Sequence, residues 1–500
     1  MPNLFQKAAI KFRGVWRDSE NLNHRAARSG AIVFGARVLT KGIQLVRTVV
    51  LARLLFPHDF GLFGMASLSL GLLDTFLQTG MNASVIQEKE DVKRYLNSAW
   101  TFNVLRNTFV AVLVFLSAPY FGSFFENEII IPFIQVLSLS IFIAGFENIG
   151  IVLFQRELRY NKKFYFDTAI VLTEVLSAII LAFVLRSPWA LVLSTVLYRL
   201  AGVIFSFIIH PYRPRFEFDW AKIKHLLGFG KWVGFMAIVG YLVSQGDNLA
   251  VGKLLGSEQL GYYQLAFGLG IFPAIEIARV LGGVLFPLFS RIRHDAELLR
   301  RTFITSSRLI FSVTIPASLG ILILSPHIVR YIYGERWLPM VPILSIIVVY
   351  GLFKSVEYVL SPLLLGMGRS KLSAFSSLMQ FAVMFSLILP FAKWWGTVGV
   401  AWSVLVGGFV AQSLFVLSVR KEINLGLAGF FEIIQSPLVC GLIMYLVLNL
   451  SLSFWAINSL PLLLLYVGSG ALIYFAFLYL FDKWQGQPIY QSLLWIKKSL

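Results

Sequence analysis

LARLLFPHDFGLFGMA, residues 51–66, joins two apolar runs, 30–55 and 60–82. Each run is long enough to cross a bilayer, which takes about 20 residues of helix. Sliding the chain against itself by 200 residues sets this segment over VGKLLGSEQLGYYQLA, residues 251–266. Leu54 then meets Leu254, Leu55 meets Leu255, Gly61 meets Gly261 and Ala66 meets Ala266, with Arg53 over Lys253. Both segments link the first and second apolar runs of a block of six. Six crossings return a chain to its starting side, so the two blocks share one orientation, a parallel repeat about an axis along the membrane normal.

Working outward from that pair, apolar runs punctuated by charge, Pro and Gly predict about fourteen spans. They cover 30–55, 60–82, 98–119, 129–152, 165–186 and 188–209, then 230–255, 260–285, 303–324, 341–365, 371–392 and 396–418, and a last pair at 432–455 and 460–481. The chain is 57% hydrophobic and only 14% charged, which excludes a water-soluble protein of 500 residues. The expected fold is an all-α polytopic membrane protein: an N-terminal lobe at 30–209, a linker at 210–229, a second lobe at 230–418, two extra helices within 432–481 and a tail at 482–500.

The 43 Lys and Arg residues test this map. With the N-terminus cytoplasmic, 29 fall on the inner side and six (Arg53, Arg186, Lys253, Arg330, Arg336 and Lys393) on the outer side. That asymmetry satisfies the positive-inside rule and places both termini in the cytoplasm. The net charge of +18 is then a matter of topology and anionic lipid, and no nucleic-acid partner is expected. Within the basic segment 1–29, NLFQKAAIKFRGVW (3–16) aligns Phe5, Ala9, Phe12 and Trp16 on one helical face, the pattern of an interfacial helix. One cysteine, Cys440, and six scattered histidines give no disulfide framework and no metal site, and no P-loop occurs. No cofactor and no catalytic residue are expected.

Ionisable residues at span depth cost about 3 kcal/mol each on insertion scales, so each is paired, snorkelling or functional. In the first span Arg37, Lys41 and Gln44 share a face at i, i+4 and i+7, with Arg47 to one side and no acid in the helix. These residues either line a wet cavity for an anion or pair internally. Further bases are Arg106, Arg199, Arg279 and Lys354; the acids are Asp74, Glu147, Glu174, Asp247, Glu276 and Glu357. Glu276 with Arg279 and Lys354 with Glu357 are spaced i, i+3, so each pair is able to neutralise itself. Arg308, about five residues into its span, is expected to snorkel to the cytoplasmic surface. Pro273 and Pro316 fall mid-span and permit bends.

VVLARLLFPHDFGLFGMASL (49–68), LLDTFLQTGMNASVIQEKE (72–90), GDNLAVGKLLGSEQLGYYQLAFGL (246–269) and VLFPLFSRI (284–292) resemble Wzx-type polysaccharide transporters. These are lipid-linked oligosaccharide flippases of the multidrug/oligosaccharidyl-lipid/polysaccharide exporter superfamily. The resemblance runs from residue 30 to about 420. It implies a twelve-helix, two-lobed core in the bacterial inner membrane, and an undecaprenyl-diphosphate-linked glycan as substrate. Membrane lipids, a polysaccharide polymerase and a co-polymerase are the implied partners. On that reading Arg37 and Lys41 hold the diphosphate within the cationic cavity, and the acids are coupling or ion-pair residues. The fourteen-helix count also resembles the peptidoglycan-precursor flippases, whose additional helices form a groove for the lipid tail, a part that 432–455 and 460–481 would play here. Two other functions stand beside it: a cation-coupled multidrug exporter of the same superfamily, and a scaffold of a polysaccharide-synthesis complex with no transport of its own.

Overall fold

The computed structural model describes residues 39–87, 92–157 and 159–484. Arg37, the segment 1–29 and the tail beyond 484 lie outside them. Among the described residues every regular element is helical. In chain order these are α1 (39–54), α2 (Pro57–Phe76), α3 (Met81–Gln87), α4 (Lys93–Phe124), α5 (Ile130–Gly145), α6 (Ile151–Arg156), α7 (Tyr160–Leu185) and α8 (Trp189–Ile209). There follow α9 (Trp220–Ile292), α10 (Ala296–Ile328), a π-helical turn (Val329–Tyr333), a 3-10 helix (Glu335–Met340), α11 (Val341–Gly366), α12 (Ser370–Glu422), α13 (Leu427–Phe454) and α14 (Leu460–Trp484).

Two of these are too long for one crossing, and each is broken by a glycine. Gly256 interrupts α9 at φ 84° and ψ 178°, and Gly396 interrupts α12 at φ 60° and ψ −136°. Only glycine adopts such angles without strain, so each residue turns one long helix into two successive passes. Counted that way, twelve of the fourteen expected spans coincide with helix as far as they are described, while 60–82 and 129–152 are each interrupted, at 77–80 and 146–150. Elsewhere local chemistry sets the ends: Asp295 caps α10 by accepting from the Leu298 amide at 2.9 Å, with Glu297 in the first turn favourable to the helix dipole.

The distribution of side chains is that of a protein in hydrocarbon. Val184 and Leu472 are each 74% exposed, while Ser69, Ser194 and Thr314 are fully buried. The buried hydroxyls bond back to carbonyls three or four residues earlier (Met65, Leu191 and Ile310), which satisfies them without breaking the helix.

The chain divides into two compact units, one holding the chain to Leu55 with Met65–Tyr241, the other Phe56–Gly64 with the chain from Leu242. In the first unit α4 packs on α5, α5 on α8, and α7 on α8. A core of Met81, Leu96, Trp100, Val104, Ile149 and Ile223 ties α3, α4, the α5–α6 connection and the start of α9 together. In the second, α10 packs on α11, α13 and α14, around Phe303, Phe311, Leu360, Phe415 and Ile433. Here Arg308 departs from expectation. It is only 9% exposed and engaged within the protein, on a helix whose Thr302, Ser306, Ser307 and Ser312 are buried as well.

Candidate functional site

Two helices in the first unit end sooner than their apolar runs. The run 60–82 stops being helical after Phe76 and resumes as α3 at Met81. Arg106, on α4, fills the break: its Nε donates to the Leu77 carbonyl at 3.1 Å and one terminal nitrogen to the Asp74 carbonyl at 2.6 Å. The same guanidinium pairs with the Asp74 carboxylate at 2.7 Å and donates to Asn107 at 2.6 Å. A positive charge thus closes the carbonyl end of α2, where the helix dipole is negative.

The run 129–152 breaks likewise between Gly145 and Ile151. Asn148 shapes that turn, its side-chain oxygen accepting from the Gly150 amide at 2.9 Å and its amide donating to the Tyr212 carbonyl at 2.6 Å. Gln78 and Glu147 therefore sit in interrupted backbone rather than inside continuous helices.

Between these breaks opens a cavity of about 490 Å³. Its polar lining is Gln78, Thr79, Asn82, Asn103, Arg106, Asn107, Glu147, Asn148, Gln155 and Lys163. Irregular backbone in a membrane protein is tolerated where it lines such a polar space. Of the lining residues, Arg106 and Glu147 are the expected site residues; Gln155 and Lys163 lie outside the apolar runs and read as surface residues. Lys163 forms an ion pair with Asp167, and Glu147 lies within electrostatic reach of Arg199, Lys163 and Asp167.

Of the other expected site residues, Lys41 and Gln44 are half-buried on α1, and Lys41 is engaged. Arg47 pairs with Glu174 of α7 at 2.8 Å, both side chains being about five-sixths buried (16% and 17% exposed). Arg199 is exposed on α8 with its guanidinium over the Tyr198 ring, 5.3 Å from the centroid. In the second unit Lys354 pairs with Glu357 at 2.6 Å, and Gln412 donates to the same carboxylate oxygen at 2.9 Å. Asp247 is buried and accepts from the Tyr263 hydroxyl at 2.8 Å and from the Asn248 amide. Arg279 and Glu276 lie on α9, in the stretch whose side chains are not described.

Outside the spans, the extended segment 210–219 is stitched to α4. The Glu217 amide donates to Thr101 at 2.9 Å, the Arg215 amide to Asn97 at 3.1 Å, and the Tyr212 hydroxyl to Asn97. Glu217 accepts from Asn97 and Lys222, and the Lys222 hydrogen bond, foremost, holds its carboxyl below the usual range. His210 lies against Phe154 with ring centroids 5.0 Å apart and the planes tilted by 57°, and its Nδ1 accepts from the Tyr212 amide at 3.1 Å. Burial pushes its imidazole below the usual histidine range.

Residues 50–342 match the family described as polysaccharide biosynthesis protein. The chain is 30% identical over 344 residues to the lipopolysaccharide biosynthesis protein WzxC of Escherichia coli, covering 68% of this chain and 69% of that one. It is 25% identical over 407 residues to the teichuronic acid biosynthesis protein TuaB of Bacillus subtilis, covering 80% and 83%. Among solved structures, the lipid II flippase MurJ in its inward closed conformation superposes with a TM-score of 0.73 at 17% identity, covering 90% of this chain and 99% of that one. Sequence match and fold agree: the chain belongs to the polysaccharide biosynthesis protein family and carries the all-helical fold seen in the lipid II flippase MurJ.

Proposed function

We propose that this protein flips an undecaprenyl-diphosphate-linked oligosaccharide, the repeat unit of an exopolysaccharide or lipopolysaccharide, from the cytoplasmic to the outer leaflet of the bacterial inner membrane. The observation that carries this reading is the set of charged pairs held within membrane helices, Arg47 with Glu174, Arg106 with Asp74 and Lys354 with Glu357, in a chain of this family. A diphosphate and a hydrophilic glycan cannot enter hydrocarbon unaided, whereas a polyprenyl tail stays there. A wet, cationic cavity, exposed alternately to either side, meets that need. The fold likeness to a lipid II flippase supports the same class of work.

In this mechanism Arg37, Lys41 and Gln44 receive the diphosphate, Arg by bidentate contact and Lys as a point charge. Arg47, Arg199, Arg279 and Lys354 complete the positive field, whereas Arg106, also expected there, has its three nitrogens committed to Asp74, Leu77 and Asn107. Asp74, Glu147, Glu174, Asp247, Glu276 and Glu357 balance it and are the groups through which a proton gradient would couple. Carrying two negative charges outward through an inside-negative potential of 100 mV releases about 4 to 5 kcal/mol, so export runs without ATP. The lobes 30–209 and 230–418, the linker 210–229, the helices of 432–481 and cytoplasmic termini are the domain plan of this mechanism, with polymerase and co-polymerase acting on the flipped product.

Arg37→Ala and Lys41→Ala, expressed in cells lacking the wild-type gene, test it. Surface polysaccharide is lost in both while the protein remains inserted at normal levels, and Lys41→Arg exports better than Lys41→Glu. Full export by both alanine variants refutes the cationic site.

A further inference from the structure

The cavity of the first unit has a charge balance that separates it from any phosphate site. Three ionisable side chains among the described residues line it, Arg106, Lys163 and Glu147. Both bases already hold a carboxylate that is not part of the lining, Asp74 and Asp167 respectively. Arg106 is further occupied by two backbone carbonyls and Asn107, and all three of its nitrogens are used. Among the described residues, what remains to face the cavity is one carboxylate, Glu147, and no uncommitted cation. A dianionic diphosphate would meet repulsion there rather than neutralisation.

The neutral polar groups are of a different kind. Gln78 and Gln155 are exposed, and neither side chain has a hydrogen-bond partner among the described residues. Asn103 donates to Asn82 at 3.2 Å, which leaves the amide of Asn82 and the carbonyl of Asn103 unspent; Asn107 gives only its oxygen, to Arg106. Each carboxamide presents a donor and an acceptor on one rigid plane, the complement of a hydroxyl pair on adjacent ring carbons or of an acetamido group. The volume of about 490 Å³ lies within the range of about 300–1,000 Å³ typical of small-molecule sites.

We propose that this cavity is a sugar subsite: it binds an uncharged hexose or N-acetylhexosamine unit of the lipid-linked glycan through Gln78, Asn82, Asn103, Asn107 and Gln155, with Glu147 accepting from ring hydroxyls, while the diphosphate is held elsewhere. The inference rests on the flippase reading above. It predicts that substrate recognition is divided, one part reading charge and another reading sugar.

The test uses the full-length protein in lipid nanodiscs and three probes: undecaprenyl diphosphate, and the same lipid bearing one glucose or one N-acetylglucosamine. Binding is followed by intrinsic tryptophan fluorescence. At least one sugar-bearing lipid binds about tenfold or more tighter than the bare lipid. Gln78→Ala combined with Gln155→Ala brings that ratio close to one and leaves affinity for the bare lipid unchanged; both side chains are exposed and unbonded, so the fold is kept, as an unaltered melting temperature verifies. A ratio that survives the double substitution, or a wild-type ratio of one with both sugars, overturns the subsite while leaving the flippase reading standing. Failure of the wild-type protein to bind any of the three lipids overturns the flippase reading itself, and the subsite with it.

Discussion

Gly61 lies so close to Ser257 that a Cβ at residue 61 would overlap the Ser257 carbonyl, and Gly261 stands in the same relation to the carbonyl of Pro57. The two contacts are reciprocal across the 200-residue repeat, and the Ser257 hydroxyl meets His58 Nδ1 at 2.7 Å beside them. Because backbone meets backbone, nothing is free to yield. Gly61→Ala and Gly261→Ala are each expected to destabilise the protein by about 3 kcal/mol, the upper end of overpacking. Gly64→Ala is expected to be milder, since its methyl meets the movable end of the Gln264 side chain. Melting temperatures in detergent rank the three; equal effects would contradict the backbone contact.

Gly256 and Gly396 pose the opposite case, with open space around them and backbone angles that L-residues avoid. Gly256→Ala and Gly396→Ala are each expected to lose about 1–3 kcal/mol from strain alone. Gly268→Ala, in equally open space but on regular helix, is expected to be neutral or to gain up to about 1 kcal/mol. Thermal unfolding of the three variants separates conformation from packing.

The Arg47–Glu174 pair distinguishes stability from transport. Removing only the base, as Arg47→Met, strands a largely buried carboxylate and is expected to cost about 3–5 kcal/mol. Arg47→Met together with Glu174→Leu is expected to restore near-wild-type melting while surface polysaccharide stays low. Normal export by the double variant would assign the pair a purely structural part.

His210 gives a pH dependence of definite sign. Its folded pKa is lowered by burial, and its Nδ1 accepts a hydrogen bond that requires that nitrogen to be unprotonated. The unfolded chain then binds the extra proton first. The neutral ring's contribution is full above about pH 6.5 and is lost progressively as pH falls below that value toward the lowered folded pKa. The melting temperature of the wild type is expected to drop between pH 7.5 and pH 5 by more than that of His210→Asn; parallel profiles would remove His210 as the cause.

The spans were legible because bilayer thickness imposes a length that apolar runs reveal, and the pairing of Lys354 with Glu357 was legible because one helical turn joins them. The breaks at 77–80 and 146–150 were not. Ile149, Ile151 and Val152 continue the apolar run past the turn, and what stops the helix is a set of side-chain bonds from Asn148 and Arg106 whose partners lie elsewhere in the sequence. The candidate cavity depends on those breaks, so its polar lining was named only in part. Partner choice was equally hidden: Arg47 selects Glu174, and Arg106 selects Asp74, through packing of helices that periodicity cannot orient. Arg308 misled because depth from the helix end says nothing of which way the side chain faces.

The bonds that Asn97 and Thr101 make to residues 212–217 have a mechanical meaning. A stretch that hydropathy alone would draw as slack rope is instead sewn along its length to a rigid post, with its freedom surrendered when the protein folded. Lengthening this stretch with glycine and serine would therefore not simply loosen a tether; it would unpick a seam that also holds Asn148 at the wall of the sugar cavity.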